Sequence, residues 1–221
     1  MEAGLFDPEA GQKFLSLAAE VSAEADSTEA VRDSLILLQN DRGTLPIPAG
    51  SQKVLLVGPF ATPAFSHAIS AADSQVTVTT MEGCSVSGKN DSQIAAAVVA
   101  AKSADVVILC LGSTAALEHE YHDRSNSTLP GLQTQLARSI LSAIPTTTRA
   151  VAVLNARGSL SVDALKTSCP AIMLSWDHSS VKAHHSVSPN ASTSVAEALW
   201  GVFSPAGKLP YTVSGYLPPL R

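Results

Sequence analysis

The densest group of side chains able to move protons lies in residues 112–128, which read GSTAALEHEYHDRSNST. The group comprises Glu118, His119, Glu120, Tyr121, His122, Asp123 and Arg124. A carboxyl group there could act as general acid and base if burial or a nearby carboxylate raised its pKa. Loops this long inside a compact domain are uncommon and are often functional. The same composition also fits a solvated surface loop, so the residues alone leave both interpretations open.

The same side chains could serve two other kinds of site. His119 and His122, with Glu118 or Glu120, could ligate a metal ion, but no second cluster in the sequence completes such a site. In an extended segment Glu118 and Glu120 point the same way, about 6.5–7 Å apart, which is near the carboxyl spacing of glycosidases. Both lie on one segment, however, with no opposing wall to hold a sugar. We therefore predict no metal site, no cofactor and no self-sufficient glycosidase site here.

Short apolar runs alternate with helical patterns along the chain, and these elements must position residues 112–128. The apolar runs are typical of buried strands and cover residues 54–57, 76–80, 106–111, 150–154 and 171–174. Helical patterns cover residues 28–40, 91–101, 132–144 and 194–202. Continuously apolar strands separated by helices are typical of a mostly parallel sheet covered on both faces. The predicted fold class is α/β, a three-layer sandwich with a mostly parallel sheet of about five or six strands between helices.

In such sheets, sites form beyond the carboxyl ends of the strands. The segments that follow the predicted strands and come into question are residues 58–66, 112–128, 155–161 and 175–190. The sequence has no GxGxxG, GxxxxGKS/T or GxSxG motif, so a dinucleotide site, a phosphate loop and a hydrolase nucleophile elbow are not expected. Residues 112–128 are therefore the strongest candidate.

Composition and charge exclude two classes of partner. The net charge is −5 and only 15% of residues are charged, whereas a nucleic-acid binder normally has a basic patch. No stretch reaches the roughly 18 apolar residues that a membrane span requires, so we expect no membrane partner. The N-terminus shows no signal-peptide pattern. The localisation stays open, and a secreted or lysosomal protein would require an incomplete N-terminus.

Secretion would bring two kinds of modification into question. Three Asn-x-Ser/Thr triplets, at Asn90, Asn126 and Asn190, are glycosylation candidates in that case. Cys84 and Cys169 could then form a disulfide. Cys110 lies in an apolar run and is expected to be buried.

Six segments, in order, resemble the C-terminal α/β sandwich domain of family 3 glycoside hydrolases, the β-glucosidase and β-xylosidase family. They are GLFDP, AVRDSLILLQNDRGTLPI, KVLLVGPFA, AAAVVAAKSADVVILCLG, LEHEYHDRSNSTLPGLQTQL and LWGVFSPAGKLPYTV. The fifth is similar to the pattern EAEGxDRxxLxLPGxQxxL of the xylosidase-like branch. The resemblance divides the chain into residues 1–27, a lead-in similar to the exit from that family's barrel domain, and residues 28–221, the sandwich domain.

The resemblance also implies a division of catalytic labour. In that family a barrel supplies the nucleophilic aspartate, and the sandwich lends a glutamate acid/base to a retaining mechanism. Matching the motif gives Glu118 as the first acid/base candidate and Glu120 as the second. Asp123 and Arg124 match the family's DR and are expected to form an ion pair that shapes the loop.

No barrel is visible in this sequence, so we predict that the chain alone is inactive. It would act on a β-linked glycoside only with a barrel, for example from a partner chain. The alternative is a non-catalytic relic that serves as a carbohydrate-binding or protein-interaction domain. Tyr121 and His122 depart from the family pattern, in which a glycine and an apolar residue stand at these positions.

Overall fold

A computed structural model describes residues 23–50, 52–122, 124–176 and 189–211. Within these ranges the helices are α1 (Ala23–Ser34), α2 (Pro63–Ala72), α3 (Ile94–Ala101), α4 (Gln133–Ala143), α5 (Asp163–Lys166) and α6 (Pro189–Leu199). The strands are β1 (Ile36–Asn40), β2 (Lys53–Val57), β3 (Thr77–Met81), β4 (Val106–Gly112), β5 (Arg149–Ala156) and β6 (Ala171–Trp176).

These strands form one sheet in the order β1-β6-β5-β4-β2-β3. All neighbours pair in parallel except β1, which runs antiparallel to β6. The carboxyl ends of β2 to β6 therefore lie along one side of the sheet, which we term the carboxyl edge. The predicted fold class, a mostly parallel sheet between helices, is confirmed.

Each face of the sheet packs against its own layer of helices. One apolar cluster includes Ile94 of α3 and Leu136 of α4, and the other includes Phe65 of α2 and Val195 of α6. The central strand β4 is buried at every residue. A strand covered on both faces needs apolar side chains in both directions, which explains the unbroken apolar run that predicted it.

The predicted helix over residues 28–40 is wrong in its second half, because Ile36–Asn40 forms the edge strand β1. Leu35 and Leu37 pack in the cluster that contains α2 and α6, whereas Ile36 and Leu38 pack with the cluster of α3 and α4. This alternation of two residues is that of a strand whose side chains pack on both faces of the sheet. The run ILL lies between two cores, and tertiary packing decides its conformation.

All three cysteines are buried free thiols, so the Cys84–Cys169 disulfide is not formed. Burial raises the pKa of Cys84 to about 11 and that of Cys169 to about 12, and it moves the pKa of Cys110 upward as well. No helix in the described part of the chain combines the length and apolar character that crossing a bilayer requires.

Candidate functional site

Strand β4 ends at Gly112, which lies so close to β5 that only glycine fits. Its φ is 150°, and a Cβ atom there would lie 2.1 Å from the carbonyl oxygen of Asn155. Ser113 donates its backbone N–H to the same oxygen at 2.9 Å. The candidate segment therefore leaves the sheet in contact with β5, at the carboxyl edge.

A buried glutamine hydrogen-bonds to the backbone at the start of the candidate segment. Gln133, at the first position of α4, is fully buried, and its Oε1 accepts the Gly112 N–H at 2.7 Å. Its Nε2 donates to the carbonyl oxygens of Gly112 and Val86, both at 2.8 Å. Sequence reasoning missed Gln133. The available signal was the Q of the pattern EAEGxDRxxLxLPGxQxxL, which Gln133 matches.

The middle of the segment folds into a hairpin with a two-residue turn. His119 and His122 exchange both backbone hydrogen bonds, at 3.2 and 2.9 Å, and Glu120 and Tyr121 form the turn, which we term the hairpin tip. Tyr121 has a φ of 64°, in the left-handed region that favours glycine. The residue is 98% exposed, and Glu120 is exposed as well. The hairpin tip therefore presents a carboxyl group and a phenol to solvent.

Glu118, at the base of the hairpin, is held within the domain. Its Oε2 lies 3.8 Å from Nη1 of Arg124, and the two side chains are 27% and 14% exposed, respectively. The Arg124 guanidinium also donates to the carbonyl oxygen of Thr128. Arg124 thus connects the base of the hairpin to the end of the candidate segment at Thr128. Asp123, its expected partner, lies outside the described residues, so that ion pair stays a prediction.

The loop after β5 and the chain near residue 211 complete the surroundings of Glu118. A Cβ atom on Gly158 would lie 2.1 Å from Oε1 of Glu118, so this carboxylate rests on the Gly158 backbone. Arg157 donates its Nε–H to the Glu118 carbonyl oxygen at 3.0 Å. The Tyr211 hydroxyl donates to the Gly158 carbonyl oxygen at 3.2 Å, and the Trp176 ring meets the Tyr211 ring edge-on at 6.0 Å.

The pKa of Tyr211 reflects its proximity to the Glu118 carboxylate. Burial, and in second place the negative charge of Glu118, raises the pKa of Tyr211. Residues that follow β4 and β5, the last residue of β6 and the C-terminal segment therefore meet around one carboxylate. Sequence reasoning placed residues 155–161 and 175–190 at the carboxyl edge but did not single out Arg157, Gly158 or Tyr211.

The three sequons lie on three different segments of the chain. Asn126 is exposed in the candidate segment, and its Oδ1 accepts the Thr128 hydroxyl at 2.6 Å. Asn90 is exposed before α3, and Asn190 is half-buried in the first turn of α6. Their glycosylation stays a prediction. Among the residues that the structure describes, no three His, Cys, Asp or Glu side chains group in a way that could hold a metal ion.

The geometry defines an α/β sandwich domain whose carboxyl edge carries a hairpin with one carboxylate held at its base and one exposed at its tip. The model of the "Glycosyl hydrolase family 3 C-terminal domain" matches residues 35–217. The chain therefore belongs to glycoside hydrolase family 3 as a C-terminal domain of the β-glucosidase and β-xylosidase type, and the resemblance seen in the sequence is confirmed.

Relatives and solved structures agree with the family. The chain is 26% identical over 231 residues to Beta-D-xylosidase 3 of Arabidopsis thaliana, covering 96% of this chain and 29% of the relative. It is 25% identical over 198 residues to Beta-xylosidase/alpha-L-arabinofuranosidase 2 of Medicago sativa, covering 83% and 24%. The β-glucosidase structure from Bifidobacterium adolescentis shares the fold, with a TM-score of 0.70 at 24% identity over 86% of this chain and 29% of that one. The chain thus spans less than a third of the length of these relatives.

Proposed function

We propose that this chain is the sandwich part of a retaining β-glycosidase and supplies the acid/base glutamate to a barrel that carries the nucleophile. Residues 1–27 form the lead-in from that barrel and residues 28–221 the sandwich domain. The substrate is a β-linked glucoside or xyloside bound between the two. The observation that carries the proposal is the hairpin, which projects an exposed carboxyl group from a fixed base at the edge where sites form in such sheets.

The two glutamates have different surroundings and therefore different proposed roles. The sequence favoured Glu118 as the acid/base, but its carboxylate rests on Gly158 and faces Arg124. A general acid must come within about 2.6–3.2 Å of the oxygen it protonates, and the exposed Glu120 can enter a cleft between two domains. We assign proton transfer to Glu120, whereas Glu118 positions the hairpin.

One hairpin does not make a complete retaining site. Retention requires a second carboxylate about 5–5.5 Å from the acid/base, on the opposite side of the sugar, to form the glycosyl intermediate. Glu118 and Glu120 lie on the same hairpin and leave the opposite side of the sugar without a nucleophile. We expect no turnover of nitrophenyl β-glycosides by the isolated chain.

The test fuses the chain to the barrel of a family 3 relative and measures the hydrolysis of aryl β-xylosides and β-glucosides. Glu120→Gln should lower kcat/KM about 10²–10⁴-fold for a poor leaving group. The loss should be much smaller for dinitrophenol, which leaves without a proton, and azide should restore turnover by attacking the intermediate. Glu118→Gln should cause a smaller loss on the poor leaving group and no rescue by azide, because it loosens the hairpin while the Glu120 carboxyl group that donates the proton is retained.

Two results would count against these roles. Full activity of Glu120→Gln on the poor leaving group would remove Glu120 from the reaction. A folded fusion that is inactive with the native hairpin would contradict the catalytic role itself and favour the second candidate below.

The second candidate is a non-catalytic carbohydrate-binding or interaction domain, and the character of the surface favours it. In the described part of the chain the large exposed apolar side chains are Val99 on α3, Tyr121 at the hairpin tip and Val202 after α6. These three residues lie on separate elements, whereas a large docking surface is a contiguous apolar patch. Binding of xylo-oligosaccharides to the isolated chain, without hydrolysis in the fusion, would support this candidate.

A further inference from the structure

The two histidines of the hairpin face each other across the turn. His119 and His122 are directly opposite in an antiparallel bridge, and side chains at such positions project from the same face. Their rings lie with centroids 5.1 Å apart and planes inclined by 20°. Both residues are exposed, so the pair is open to solvent.

One of the rings is already hydrogen-bonded in the manner of a metal ligand. Nδ1 of His119 lies 2.8 Å from the carbonyl oxygen of Glu120. A carbonyl only accepts, so Nδ1 carries the proton and Nε2 of the neutral ring keeps its lone pair. Ligating histidines typically donate their other ring N–H to a carbonyl or carboxylate in this way, which fixes the tautomer.

The separation of the rings fits chelation by both of them. Imidazole nitrogens bind zinc at about 2.0–2.1 Å. Two rings on one ion with a near-tetrahedral angle have centroids about 5 Å apart, which follows from these bond lengths and matches the observed pair. The two rings are stacked, so chelation by both requires the His122 ring to turn about its side-chain bonds while the His119 ring keeps its hydrogen bond to the Glu120 carbonyl oxygen.

We propose that His119 and His122 form a two-histidine site for a divalent transition-metal ion of the imidazole-preferring class, Cu²⁺, Ni²⁺ or Zn²⁺. Water completes the coordination, since the described residues offer no third protein ligand of the usual kinds. A bound ion closes the base of the turn and restricts the hairpin tip, including Glu120. The expectation that the chain has no metal site is replaced by this proposal of an exchangeable surface site.

The test titrates tag-free chain with CuCl₂ by calorimetry and records the electron paramagnetic resonance spectrum of the complex. His119→Ala and His122→Ala should each weaken binding at least about tenfold, because even loss of an outer-shell partner costs 10–100-fold. The spectrum should show two coordinating nitrogens in the native chain and fewer in either variant. His67→Ala is the matched control, since His67 is exposed on α2, and it should leave the affinity unchanged.

The remaining histidines provide the strictest version of the test. The titration is repeated in a chain with His184→Ala and His185→Ala, which removes an adjacent pair present in the sequence. The proposal holds if strong binding survives there and is lost when either His119 or His122 is replaced, each taken separately. It is overturned if single hairpin variants bind as the native chain does, or if only one of the two histidines matters. The measurement needs no glycosidase activity, so its outcome is independent of the proposed function.

Discussion

Replacing Gln133 by leucine should destabilise the whole domain, although the residue touches no substrate. Leucine has a similar volume, so the change leaves no large cavity, but it removes the three hydrogen bonds to Gly112 and Val86. Their partners are backbone groups beside a side chain that is itself fully buried. At about 0.5–1.5 kcal/mol for each bond, and more where a buried group is left unpaired, the loss is about 2–4 kcal/mol.

The assay is urea unfolding at pH 7, followed by tryptophan fluorescence and circular dichroism. The midpoint should fall while the slope m stays the same, because the surface exposed on unfolding does not change. Gln135→Leu is the matched control, since Gln135 is exposed on the same helix. A surface change of this kind should stay within about 0.5 kcal/mol of the native chain.

A second measurement locates the effect. The backbone N–H of Ser113 donates to Asn155 at the point where the loop leaves the sheet, and its hydrogen exchange should accelerate in Gln133→Leu. Equal stability of the Gln133 and Gln135 variants would refute the reasoning. It would mean that the three bonds contribute nothing net to folding.

Backbone strain, charge and burial give three further measurable outcomes. Tyr121→Gly removes the cost of about 1–2 kcal/mol that the left-handed backbone conformation imposes, but it adds entropy to the unfolded state, so it should be neutral or stabilising. Tyr121→Val should be less stable than both the native chain and Tyr121→Gly. The reverse order of urea midpoints would contradict this. Asp73 accepts the N–H groups of Gly50, Gln75 and the Trp200 indole, which lower its pKa. The stabilisation that the Asp73 carboxylate contributes is therefore fully present above its unfolded pKa of about 3.9, and it disappears as the pH falls through its folded pKa. Asp73→Asn should unfold at a lower urea concentration than the native chain at pH 7, and the two midpoints should converge in acid. The three cysteines, buried and with raised pKa values, should react with a disulfide reagent at pH 8 only on unfolding, and rapid labelling of the native chain would show that the thiols are accessible.

The fold was predictable where burial acts on every residue of a strand. The predicted runs that became β2, β4, β5 and β6 are apolar without interruption. Apolar runs this short favour a strand, because helices are usually longer. Helix α2 was missed although its start is marked in the sequence. Thr62 caps it by accepting the Phe65 N–H, and Pro63 occupies the first turn, both of which favour a helix start.

The candidate site was predictable only in its local part. The cluster from Glu118 to Arg124 is visible because its members are adjacent in the chain. The contacts of Glu118 with Gly158 and of Gly158 with Tyr211 join positions that are distant in sequence. They depend on how loops from different strands converge, and no pattern of residue types encodes that distance. The different environments of Glu118 and Glu120 follow from the same contacts and therefore could not be predicted from the sequence either.

The strained backbone at Tyr121 in the hairpin tip should affect the isolated domain and the fusion with a barrel in opposite ways. Tyr121 adopts a backbone conformation that costs a non-glycine residue about 1–2 kcal/mol. Because the residue is 98% exposed, it has almost no contact here that could offset this cost. Strain of this kind is concentrated at binding and catalytic sites. Under the proposed function the offsetting contact comes from the barrel or the bound sugar. Tyr121→Gly should then help or leave unchanged the isolated chain, yet raise KM or weaken domain association in the fusion. If Tyr121 has no function, Tyr121→Gly should not impair the fusion while it leaves the isolated chain unchanged or more stable.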